Sequence, residues 1–98
     1  MSVVFRPEAR AEVLEAQAWY ESRSPGLGLE FARALDAALA SALRDPVAFV
    51  KVEGECRRVV LRKFPFSLVY RVKPGVFLVA AVFHHRRNPR LLATRVGG

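Results

Sequence analysis

Ninety-eight residues make one domain, spanning 1–98, and leave no room for a second core. Sixteen basic residues against nine acidic ones give a formal net charge of +7 and a pI near 10.8. The chain is nevertheless 52% hydrophobic with a mean hydropathy of +0.15, which excludes a disordered basic tail, and it has no apolar run long enough to span a membrane.

Val3, Val4 and Phe5 form a short apolar run that predicts an edge strand, stopped by Pro7. Pro7 suits the first position of a helix, where its missing N–H costs nothing, and Glu8 and Glu12 complement the positive end of that helix. Ala9, Val13, Ala16 and Tyr20, with Leu14 beside them, carry the helical period to about Ser22. Ser24, Pro25, Gly26, Leu27 and Gly28 then break it. A second helix follows, with Leu27, Phe31, Leu35, Leu39 and Leu43 every four residues, ended by Asp45 and Pro46. The short link makes the pair an antiparallel hairpin.

Beyond Gly54 the period changes to two. Residues 56–62 read as a strand. Phe66, Leu68, Tyr70 and Val72 alternate with Ser67, Val69 and Arg71 in the next, and Pro74-Gly75 turns the chain into an inner strand over residues 76–83. Strand, two helices and three strands imply an α+β domain: a helical hairpin packed on one face of a small antiparallel sheet. No element remains for the other face. Strand parity then groups Arg58 with Arg62, and arginine's reluctance to be buried unpaired puts both on that open face with Arg71.

Charge is divided unequally between the halves. Residues 1–49 carry five bases and seven acids, net −2; residues 50–98 carry eleven bases and two acids, net +9. The second half therefore invites a polyanionic partner, nucleic acid or acidic protein, the alternative being a solubilising basic face.

A lone Cys56 cannot close an internal disulfide and reads as a small buried hydrophobe. One cysteine and two adjacent histidines do not supply the spaced ligands of a zinc site, so no metal is expected. Gly26-Leu27-Gly28 lacks the lysine and preceding strand of a phosphate loop, Ser67 lacks the setting of a nucleophile, and no cofactor is expected. Residues 1–8 show no signal-peptide pattern, and a cytoplasmic protein is expected. Trp19 and Tyr20 read as core packing or cover for the helix crossing, in preference to a binding platform. The densest chemistry is His84-His85-Arg86-Arg87-Asn88-Pro89. Histidine moves protons near neutral pH and arginine holds phosphate oxygens, so His84 or His85 with Arg58, Arg62 and Arg87 contains the parts of a metal-free ribonuclease. The competing reading is a structural or partner-binding histidine.

Pro7-Glu8-Ala9, Trp19-Tyr20-Glu21, Pro25-Gly26-Leu27-Gly28 with Phe31, Arg57-Arg58, Phe64-Pro65-Phe66, Val69-Tyr70 and His84-x-x-Arg87-x-Pro89 occur in that order. As a set they resemble the RelE/ParE superfamily of toxins from bacterial type II toxin–antitoxin modules, over roughly residues 3–95. The resemblance implies the same fold, growth inhibition, and neutralisation by a cognate antitoxin in a hetero-oligomer. His84, Arg87 and Pro89 match a signature of ParE-like members, which inhibit DNA gyrase without being nucleases, and Arg95 matches a frequent later arginine. Leu92 stands where an aromatic residue is common. RelE-like members instead cut mRNA in the ribosome; their cluster of sheet lysines and C-terminal tyrosine are missing here, where only Lys51, Lys63 and Lys73 occur and no tyrosine follows Tyr70. The leading expectation is thus a ParE-like, non-enzymatic toxin. The alternatives are a ribosome-dependent endoribonuclease and a plain nucleic-acid-binding module. Arg58, Arg62, Arg71, His84, Arg86, Arg87 and Arg95 are the expected contacts to target or antitoxin.

Overall fold

The computed structural model describes residues 1–86. Its elements are β1 (Ser2–Phe5), α1 (Pro7–Arg23), α2 (Leu27–Arg44), β2 (Lys51–Glu53), β3 (Cys56–Val60), β4 (Phe66–Lys73) and β5 (Val76–His84). They form one five-stranded sheet in the order β1-β5-β4-β3-β2. The expected hairpin-on-sheet architecture is present, with two differences. β1 pairs with β5 in parallel, because the helical hairpin intervenes and returns the chain across the sheet, so the sheet is mixed. An additional short strand, β2, borders β3; with only Lys51, Val52 and Glu53 it has too little alternation to be read from sequence.

Pro7 opens α1, with Glu8 in its first turn and Arg23 in its last, both matching the helix dipole. Glu21 closes the hairpin. Its carboxylate accepts the N–H of Gly26 at 3.1 Å and of Gly28 at 3.0 Å, capping α2 from the end of α1. Gly26, the α2 N-cap, sits at φ +90°, and a Cβ on Gly28 would lie 2.8 Å from Gln17 O. The two glycines that blur the helix start by propensity are what let the helices approach.

Both helices lie on one face. Phe31, Leu35, Ala38 and Ala42 of α2 and Ala9 and Ala16 of α1 bury against Val59, Leu68, Tyr70, Phe77, Val79 and Val82. Tyr20 does not sheath the crossing alone: it stacks on Phe31 and meets the edges of Phe64 and Phe66. Trp19 is 52% exposed, with Arg23 lying 4.6 Å over its ring, and Leu14 is also exposed. Only Tyr20 of the Trp19-Tyr20 pair therefore joins the packing.

The opposite face, expected to be bare, buries a second cluster of Cys56, Val69, Ala80, Ala81 and Phe83, with Val52 packed against it. A bulge shapes this cluster. The β4–β5 register passes from Val69↔Ala81 to Tyr70↔Val79, so Ala80 is an extra residue in β5 and points to the same side as Ala81.

Candidate functional site

Three surfaces hold the chemistry-bearing residues. The first is the face of the sheet away from the helices, called the far face below. Arg58 pairs with Val69 and Arg71 with Leu78, and both arginines are exposed there. Arg57 instead shares the helix face with Tyr70 and donates to Phe49 O at 2.7 Å, leaving it structural. Ser67 Oγ and His85 Nε2 share a 3.1 Å hydrogen bond on the far face. Burial pushes the Cys56 thiol above its ordinary 9.0, while the charges of Arg71 and then Arg6 pull it back.

The second surface is a pocket of about 560 Å³ between α1 and the end of β5, with Ala16, Phe66 and Val82 in its apolar floor. His84 pairs with Phe66 across the strands and meets its ring edge-on at 5.1 Å. Its Nδ1 accepts the N–H of Arg86 at 3.0 Å, which leaves the proton of the neutral ring on Nε2. Glu12 and Glu15 border the pocket from α1, and Glu12 Oε1 accepts the Val82 N–H at 2.9 Å. That bond satisfies a β5 donor beyond the end of β1.

The third surface is a groove of about 810 Å³ between α2 and β3. Ala34, Ala38, Val59 and Phe64 give it an apolar floor; Arg33, Arg62 and Lys63 outnumber Glu30 on its rim. Arg62 is here because β3 ends at Val60 and the chain turns through Lys63 at φ +70°. The parity grouping Arg62 with Arg58 and Arg71 therefore stops at Val60, two residues short of it.

The expected site residues are thus divided. Arg58 and Arg71 share the far face, Arg62 belongs to the α2 groove, and His84 and Arg86 line the pocket on the helix side. Arg87 and Arg95 lie outside the described residues. The Ala80 bulge makes this division: strict alternation from Val79 through the same residues would send His84 to the far face and His85 to the helices. Sequence reasoning missed Arg33 and Lys63 as groove cations and Glu12 as a strand cap, since all three depend on neighbours distant in sequence. Among the described residues no group of three or more His, Cys, Asp and Glu side chains is placed to hold a metal, and no helix is long and apolar enough to cross a membrane.

The curated proteins contain no match to the chain. Among solved structures, a chain of the chromosomal ParDE toxin–antitoxin system from P. aeruginosa is similar, with a TM-score of 0.72 and 19% identity, covering 86% of this chain and 95% of that one. At that identity the likeness speaks for the fold. The family profile described as the ParE toxin of the type II toxin–antitoxin system, parDE, matches residues 3–89. With the match running from β1 through β5, the chain belongs to the ParE toxin family of type II toxin–antitoxin systems.

Proposed function

We propose that this toxin arrests growth by binding DNA gyrase in the cytoplasm, that it is not a nuclease, and that a cognate antitoxin silences it by laying an acidic, amphipathic segment into the groove beside α2. One observation carries the choice of binding over cutting. The sheet separates His84 from Arg58 and Arg71, so the histidine of the ParE-like signature has no arginine of the far face with which to share a phosphodiester. The groove supports the antitoxin assignment: an apolar floor under a cationic rim complements a helix with one apolar and one acidic face.

A second reading has its own observation. His85 is held by Ser67 on the face that also carries Arg58 and Arg71, so an acid/base group and cations share one surface, as RelE-like cleavage of ribosome-bound mRNA requires. Induced expression, followed by transcript mapping and a gyrase supercoiling assay, distinguishes the two. Inhibited supercoiling with intact transcripts is the expected result. Ribosome-dependent cleavage abolished by His85→Ala or His84→Ala would overturn it. For the groove, Ala37→Trp places a bulky ring on an exposed α2 position along the rim. It should weaken antitoxin binding by at least about tenfold and restore toxicity in co-expressing cells without lowering the melting temperature.

A further inference from the structure

Among the described residues Trp19 is the one tryptophan, tyrosine or phenylalanine that stands exposed. Arg23 covers one face of its ring at 4.6 Å, and the indole lines the pocket of about 560 Å³ between α1 and the end of β5. From it a row of rings runs along the pocket. Trp19 meets Tyr20 at 5.0 Å, Tyr20 meets Phe66 at 6.1 Å, and Phe66 meets His84 at 5.1 Å. Ala16 and Val82 complete the apolar floor, and the volume is that of a small-ligand site, for which about 300–1,000 Å³ is usual.

Hydrogen-bonding groups of opposite kind border this floor. On α1, Glu15 lies one turn before Trp19 and therefore on the same side of the helix. From β5 come the Nε2–H of neutral His84 and the guanidinium of Arg86. Among the described residues neither Glu15 nor Arg86 has an ion-pair partner, whereas Glu12 already accepts the Val82 N–H. A cation entering the pocket meets Arg86, and an anion meets Glu15. The complement is a flat, neutral body with donors on one edge and acceptors on another, which describes a nucleobase. A carboxylate takes two N–H groups at once only where two donors adjoin. Guanine alone of the standard bases offers that, N1–H beside the N2 amino group; adenine, cytosine and uracil set an acceptor next to each donor. The neighbouring O6 and N7 of guanine are the pair that arginine recognises. A nucleic-acid strand would carry further phosphates past Glu8 and Glu12, which share this side of α1 with Glu15, so the acidic helix favours a free nucleotide.

We propose that this pocket binds the guanine base of a free nucleotide, with Glu15 accepting N1–H and the N2 amino group, His84 and Arg86 donating to O6 and N7, and the base lying against Trp19 and Phe66. The site is separate from the α2 groove and the far face, and the free toxin alone tests it, so it can fail without the proposed function failing, and the reverse. Trp19 is the only tryptophan of the chain, so its indole Nε1–H signal reports on the pocket directly. GMP, AMP, IMP (which lacks the N2 amino group) and the RNA pentamer UUGUU are each titrated into the full-length protein and followed by NMR. GMP should move the Trp19 indole and Val82 amide signals and bind at least about tenfold more tightly than IMP or AMP. Glu15→Gln, which puts a donor where an acceptor stood, should abolish that preference, and Arg86→Gln should weaken GMP about tenfold. Both side chains are exposed, so neither change should lower the melting temperature, and Asp36→Asn, an exposed carboxylate on α2, should leave the affinity unchanged. Unmoved Trp19 and Val82 signals overturn the site. Equal binding of IMP or AMP, or a preference that survives Glu15→Gln, overturns the guanine assignment, and UUGUU moving the same signals at lower concentration than GMP overturns the free nucleotide in favour of a strand.

Discussion

Gly28 shows how one hydrogen atom in place of a methyl sets the angle between two helices. Its would-be Cβ meets the backbone oxygen of Gln17 at 2.8 Å and Glu21 at 3.0 Å, and backbone cannot step aside cheaply. Gly28→Ala should therefore destabilise by about 1–3 kcal/mol despite alanine's better helix propensity, visible as a lower urea midpoint. Glu21→Ala removes the carboxylate capping α2 and should cost about 1 kcal/mol by the same measurement. Tyr70 sets an alkaline limit. Burial pushes its phenol above the ordinary 10.0, against the pull of Arg57, while its hydroxyl donates to Pro46 O at 2.6 Å. The folded state thus favours the neutral ring: this contribution is complete below pH 10 and declines as pH rises toward the higher folded value. Tyr20, raised by burial, and Cys56, raised from 9.0, act in the same direction. Stability should fall from about pH 9 upward, and Tyr70→Phe should flatten part of that fall while costing about 1 kcal/mol at neutral pH.

At the level of elements, the β5 bulge has the widest effect. Deleting Ala80 would restore simple alternation while leaving Ala81 and Phe83 on the far face and Val82 on the helix side, so a cooperative unfolding transition should survive in a denaturant titration with the midpoint lowered only modestly by the lost methyl. This residue also marks where sequence reading stops. Both helices, and strands β1, β3, β4 and β5, follow from period, Pro7, the 24–28 break and Pro74-Gly75, because those signals are local. The hairpin-on-sheet class followed from element order. A bulge is different: it is decided by how Val69 and Tyr70 pair across the sheet, and nothing in residues 76–84 announces it. Which face each histidine takes was therefore hidden, as was the departure of Arg62 from the strand at Lys63. Arg58 and Arg71 were legible as a pair because β3 and β4 alternate without interruption between them. Glu12 belongs at this level too, since it ties α1 to β5. Glu12→Ala should speed hydrogen exchange at the Val82 amide by about tenfold or more, a change restricted to the end of β5.

Across the whole molecule, the excess of positive charge is divided rather than pooled. The groove rim on the helix side and the far face each hold some of it, on opposite sides of the sheet, whereas the His84 pocket sets Glu12 and Glu15 against Arg86. An acidic partner approaching the groove rim or the far face meets an attractive field, so its association rate should fall about tenfold or more between 50 and 500 mM salt, measured by stopped flow. The parallel pairing of Ser2–Phe5 with Val76–Val79 has a consequence in time. The first described strand is completed by the last, with both helices and three strands between them. While the chain is being synthesised the helical hairpin has local contacts enough to form, but β1 has nothing to join until β5 emerges. Arg6, held at the end of that pairing, reaches its place only then. A nascent toxin of this design keeps β1 unpaired until β5 has been made, a delay written into strand order.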